Sequence, residues 1–260
     1  MGTSEQVNQF KRIQPFVEIM DSTLRDGEQT SGVSFLPHEK LMIARMLLND
    51  LNVDRIEVAS ARVSEGEREA VSMICRYAAK IDKLERVEVL GFIDGGKSVD
   101  WAAACGCRTV NLLAKGSLKH CIQQLNKQPD EHIEDIRREV RYARSKGIAV
   151  NLYLEDWSNG MKESAHYVYD LMDALCDVGI RRFMLPDTLG IMSTSRRLPP
   201  PWTRASPRRM AGRCPAWAST QTTQVSYSMP RRTVLSPSIM ARPFWRCGRT
   251  SAARPPARFG

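Results

Sequence analysis

Short runs of valine, isoleucine and leucine alternate with longer amphipathic stretches from about residue 16 to residue 187, and then the alternation stops. The apolar pattern predicts strands over 16–23, 55–60, 86–92, 109–114, 149–155 and 181–187. It predicts helices over 37–50, 65–82, 97–105, 130–146 and 161–178. Strands separated by helix-length segments form parallel βα units, because a parallel pair needs a long crossover. Gly106, Gly147 and Gly179 fall at helix ends and suit C-terminal caps. Gly95-Gly96, after Asp94, reads as a turn. A closed barrel of such units takes eight strands and about 250 residues, so the six here predict an incomplete one.

The composition breaks where the alternation does. From Arg196 to Gly260 there are 13 arginines and no Lys, His, Asp or Glu, and ten of the 14 prolines lie there. Residues 1–195 keep 25 basic residues against 29 acidic, a net charge of −4, so the overall +9 belongs to the tail. The sequence therefore divides into a partial barrel domain, 1–195, and an Arg/Pro-rich segment, 196–260, expected to be disordered. Pro230 and Pro237 interrupt any long element in it. Two origins compete for this segment. It could be a basic arm that binds nucleic acid in a non-catalytic protein. It could instead be a reading-frame shift in G/C-rich DNA. The lack of lysine, and a start inside an unfinished αβ unit, favour the frame shift. Nucleic acid is then not an expected partner.

The chemistry is concentrated in Asp21-Ser22-Thr23-Leu24-Arg25-Asp26-Gly27-Glu28-Gln29, directly after an apolar run. A parallel strand that ends this way delivers charge to the C-terminal rim of the sheet, where βα barrels hold their sites. Arg25 suits a carboxylate or an enolate oxygen, and Asp26 a hard divalent cation. Three other strands add to the same rim. Glu57 lies on the second, Glu155 and Asp156 end the fifth, and Asp187 and Thr188 end the sixth.

This run resembles the signature of the metal-dependent acyl-CoA condensing enzymes and lyases built on TIM barrels. That family includes the 2-isopropylmalate, homocitrate and citramalate synthases and the hydroxymethylglutaryl-CoA lyases. Gly32-Val33-Ser34-Phe35, Glu39-Lys40-Leu41-Met42-Ile43-Ala44, Ile56-Glu57-Val58, Glu155-Asp156 and Leu185-Pro186-Asp187-Thr188-Leu189-Gly190 are similar to the synthase branch. The resemblance runs from about Pro15 to about Ser193. It implies an incomplete (β/α)8-type barrel. It also implies a Claisen-type condensation of acetyl-CoA, the co-substrate, with a 2-oxo acid, as in leucine biosynthesis. Arg25 and Glu155 would be catalytic, and Arg25, Glu57, His120 and Thr188 would contact substrate. Asp26 would ligate the divalent metal, Mg²⁺, Mn²⁺ or Zn²⁺. A cytoplasmic homodimer is the implied state.

The chain also departs from the family, which completes its metal site with an H-x-H pair on strand 7. The four histidines here are His38, His120, His132 and His166, and none follows strand 6. Low activity is therefore expected. Asn111 falls near where relatives often carry a histidine. His120 belongs to a loop motif, Ser117-Leu118-Lys119-His120, that resembles one in the synthases, and either a substrate-side role or a plain surface-loop role suits it. His38 opens a helix, and His132 and His166 are expected to be exposed or capping. Trp101 and Trp157 read as packing residues. The seven cysteines are an odd number, and only Cys105 and Cys107 lie close together, which suits free thiols in a reducing compartment. No apolar run approaches the roughly 18 residues that a membrane span needs. No glycine-rich phosphate loop is present.

Overall fold

The computed structural model describes residues 18–191. They form six strands: β1 (Met20–Asp21), β2 (Arg55–Ser60), β3 (Val87–Phe92), β4 (Thr109–Lys115), β5 (Ala149–Glu155) and β6 (Arg182–Met184). All pairings are parallel, and the strand order is the chain order. The helices are α1 (Pro37–Arg45), α2 (Glu65–Lys80), α3 (Lys97–Ala104), α4 (Leu118–Gln123), α5 (Pro129–Ser145), α6 (Trp157–Glu163) and α7 (Ala165–Ala174). This is an incomplete TIM-type barrel. Among the described residues β1 pairs only with β2, and β6 only with β5. The expected tail, 196–260, lies outside the described residues.

The two faces of the sheet differ in chemistry. Ile56, Val58, Val89, Val110, Leu112, Val150 and Leu152 join one large core with the helices. The alternate residues turn inward. Met20, Leu90, Tyr153 and Met184 form a small apolar layer there, with Leu113 against it. Below it, toward the start of the strands, lies an ionic base. Arg55 Nη1 donates to both oxygens of Glu88 at 3.3 Å, and Arg55 Nε stands 3.3 Å from Glu18. Arg182 Nη2, on the last strand, donates to the same Glu18 at 2.9 and 3.0 Å. The sheet is thus curled far enough for β6 to reach the entrance of β1.

The helix ends follow local chemistry. Ser64 caps α2 by accepting from Glu67 N, and Glu65 and Glu67 sit in its first turn, where acids complement the helix dipole. Gly106, Gly147 and Gly179 hold left-handed φ values of 83°, 70° and 91° after α3, after α5 and just before β6. The stretch 37–50, expected as one helix, changes at Met46 into a π-helical turn, Met46–Asp50, in which consecutive Leu47 and Leu48 are both buried.

Three expectations are corrected. The helix expected over 161–178 is two helices broken at Ser164, with α6 starting early at Trp157. Of the strand expected over 16–23, residues 16 and 17 lie outside the described residues and the rest shortens to Met20–Asp21, while 181–187 shortens to Arg182–Met184; each pairs on one side only among the described residues. His132 is neither exposed nor a cap. It is 2% exposed on α5, and its Nε2 accepts from Lys115 N at the end of β4. His166 is exposed and His38 lies in the first turn of α1, as expected.

Candidate active site

The rim is built around a tight turn after β1. The Ser22 carbonyl accepts from the N–H groups of Arg25, Asp26 and Gly27 at 2.8–3.2 Å, which throws Arg25 and Asp26 over the mouth of the sheet. Arg25 Nε donates to Glu57 Oε2 at 2.7 Å, and its Nη1 to Asp26 Oδ1 at 2.8 Å. Glu57 is fully buried, and its other oxygen accepts from Asn111 Nδ2 at 2.7 Å. Asn111 Oδ1 in turn accepts from Asn151 Nδ2 at 2.8 Å. One chain of hydrogen bonds therefore links β1, β2, β4 and β5 beneath the rim.

The electrostatics follow from burial. Desolvation pushes the Glu57 carboxyl above its usual range, while Arg25 and Asn111 pull it back. Burial works against the charge on Arg25, yet Glu57, Tyr153 and Asp26 outweigh it and hold the guanidinium firmly protonated. Burial, and then the nearby Glu57 charge, raise the Tyr153 phenol. The Tyr153 hydroxyl and Asn151 Oδ1 are buried without a protein partner, so the inner wall retains unused polar capacity.

A second group gathers over β4 and β5. Lys115 and Glu155, paired in register at the strand ends, form an ion pair. Asp156 takes a left-handed φ of 63° and accepts from Ser117 Oγ and Asn159 Nδ2, both at 2.7 Å. His120 Nε2 lies 3.4 Å from the same carboxylate, and its Nδ1 is buried without a partner. His120 sits in α4, a short helix where a loop was expected. Asp187 is buried, accepting from Ser158 Oγ at 2.6 Å and from Ile191 N, and Thr188 follows on an exposed turn.

Arg25, Asp26 and Glu57 are thus joined directly. Glu155 and His120 lie in the neighbouring group, and Thr188 is carried by the turn after β6. Asn151 and Tyr153 were not singled out from the sequence. Their signal was register, since Asn111 and Asn151 are paired residues on adjacent strands with one orientation. The donor set does not fit a divalent metal. Among the described residues no group of three or more His, Cys, Asp or Glu could hold one. Asp26 stands as a single carboxylate already bonded to Arg25. No His, Asp or Glu follows Asp187 in the sequence.

A parallel half-barrel whose rim presents a buried-carboxylate-held arginine defines a class, and the comparisons with known proteins define the same one. The chain belongs to the HMGL-like family, whose model matches residues 16–197. It is 37% identical over 179 residues to a putative (R)-citramalate synthase of Methanopyrus kandleri, covering 68% of this chain and 33% of that protein. It is 35% identical over 182 residues to a probable 2-isopropylmalate synthase of Ignicoccus hospitalis, covering 69% and 43%. It is 36% identical over 176 residues to a homocitrate synthase of Methanopyrus kandleri, covering 68% and 42%. The chain thus spans between a third and a half of the length of these relatives. In fold it is similar to hydroxymethylglutaryl-CoA lyase from Pseudomonas aeruginosa, with a TM-score of 0.56 at 17% identity, covering 82% of this chain and 68% of that one. No helix among the described residues is long and apolar enough to cross a membrane.

Proposed function

We propose that the rim is the acceptor side of an acyl-CoA condensing site that joins acetyl-CoA to a 2-oxo acid. A base takes a proton from the acetyl methyl, the carbon so freed bonds to the ketone carbon, and the former ketone oxygen takes up a proton to become the 2-hydroxyl. Water then cleaves the thioester, and the products are a 2-hydroxy diacid and CoA. The observation that carries this reading is Arg25, held by Glu57 at 2.7 Å with its side chain 14% exposed. A guanidinium fixed in this way offers its remaining N–H groups to a carboxylate or to the oxygen of an enolate. Glu57 acts through Arg25. Glu155, His120 and Thr188 face the 2-oxo acid, and Lys115 restrains Glu155.

The finer assignment follows the same relatives. 2-Oxoisovalerate, the acceptor of a 2-isopropylmalate synthase in leucine biosynthesis, is the first candidate, ahead of pyruvate and 2-oxoglutarate. A divalent metal would polarise the acceptor ketone in such chemistry. The donors present do not build that site, so turnover by this chain is proposed to be slight. A cytoplasmic homodimer is the proposed state. The test separates binding from turnover. Calorimetric titration with 2-oxoisovalerate should show binding that Arg25→Met abolishes, while CoA release from acetyl-CoA stays far below an ordinary enzymatic rate. Binding unchanged in Arg25→Met would overturn the reading.

A further inference from the structure

The geometry points to Lys40 as the positioning residue of the rim: a buried ammonium that clamps both ends of the turn carrying Arg25 and Asp26. Lys40 is the fourth residue of α1 and only 1% exposed. A cation near a helix N-terminus sits at the wrong end of the dipole, and a buried one needs compensation. Three acceptors supply it. Lys40 Nζ donates to the Leu24 carbonyl at 3.1 Å, and lies 2.6 Å from Glu28 Oε2 and 2.5 Å from Glu67 Oε1. Two of the three ammonium donors are spent on the Leu24 carbonyl and Glu67, and the Glu28 carboxylate balances the remaining charge as an ion pair.

The placement of the acceptors gives the role. Leu24 immediately precedes Arg25, and Glu28 follows Asp26 by two residues. The far oxygen of Glu28 accepts from Phe35 N at 2.9 Å, which fastens the end of the loop before α1. Glu67 lies in the first turn of α2, so the third contact ties the rim to the next βα unit. Burial works against the Glu28 charge, but Lys40 and the Phe35 N–H outweigh it and hold that carboxyl below its usual range, while burial raises the Glu67 carboxyl. A cavity of about 350 Å³ opens beside the cage, and Arg25, Glu28, Lys40 and Glu67 share its wall. Arg25 is thus gripped from inside by Glu57 and its backbone from outside by Lys40.

This inference rests on the reading of Arg25 as the anion-binding group, and the two are tested separately. Hydrogen exchange on the full chain compares a peptide over residues 24–36 with peptides over β4 and β5. Lys40→Met should speed exchange over 24–36 by at least about tenfold while β4 and β5 stay within about twofold. No change over 24–36, or a uniform rise across all three peptides, would show that Lys40 positions nothing and would sink the inference. If Lys40→Met does not fold, Glu28→Gln decides on the same readout. Titration with 2-oxoisovalerate is the second arm, and Lys40→Met should weaken binding about tenfold. A wild-type chain that binds no 2-oxo acid overturns the functional reading, while the exchange result still decides the role of Lys40.

Discussion

Two buried residues set the sharpest tests at the scale of single side chains. Glu57 accepts from Arg25 with one oxygen and from Asn111 with the other. Glu57→Gln leaves a single acceptor for two donors, so one buried N–H goes unpaired, at a cost of about 1–3 kcal/mol. Urea unfolding of the variant measures it. His132 is buried neutral, and desolvation, followed by Lys127, lowers its pKa to about 4. In the unfolded chain the value returns to about 6.5. Between those values the unfolded state binds more protons, so stability is full above pH 6.5 and falls as pH drops toward 4. The loss attributable to His132 is about 3 kcal/mol. Unfolding curves at several pH values should show His132→Gln losing that part of the slope, since the amide keeps an acceptor for Lys115 N without titrating. Neither effect was legible in the sequence. Helical periodicity places His132 on a face of α5 but does not say that Lys115 N ends there, and the sequence marks Glu57 as a rim residue without showing that Arg25 and Asn111 share it.

The elements themselves were largely legible, because short apolar runs and capping glycines are local signals. The exception is informative. The segment after β5 was read as a helix from residue 161, yet it enters α6 at Trp157 through the left-handed Asp156 and breaks at Ser164. The reason is a close backbone approach that periodicity cannot register. A Cβ on Gly160 would lie 1.9 Å from the Gly116 carbonyl oxygen, and one on Gly116 would lie 2.7 Å from the Leu154 carbonyl oxygen. Gly160 thus brings α6 against the loop that leads to His120, and Ser164 Oγ accepts from Leu118 N across the same junction. Gly160→Ala should destabilise the protein by about 2 kcal/mol or more, because backbone must move rather than a side chain. Thermal unfolding measures the cost, and an unchanged midpoint would contradict the packing described. Asp156→Ala should cost a comparable amount, since it unpairs Ser117 and Asn159 and keeps an unfavourable φ.

At the scale of the whole molecule, the fold has an asymmetric interior. Its outer face is a conventional apolar core, while its inner face sets an ionic base beneath a small apolar cluster, with the Asn111–Asn151 amide pair in register between Leu90 and Arg182. The sequence showed the number and direction of the strands, but not this layering, which depends on register between strands far apart in the chain. Among the described residues the Glu18–Arg182 pair is the longest-range hydrogen-bonded contact, joining residues 164 positions apart. Glu18→Gln should lower stability by about 1–3 kcal/mol, and a double-mutant cycle with Arg182→Met should recover a coupling between the two. The same pair has a consequence in time. The strand pairings join neighbours in the chain order and the Glu57–Asn111 bond needs only β2 to β4, so these can form as βα units are added, whereas this pair requires all six units to be in place. Refolding of Arg182→Met should therefore proceed at nearly the wild-type rate while unfolding accelerates, since the contact is made after the barrier is crossed.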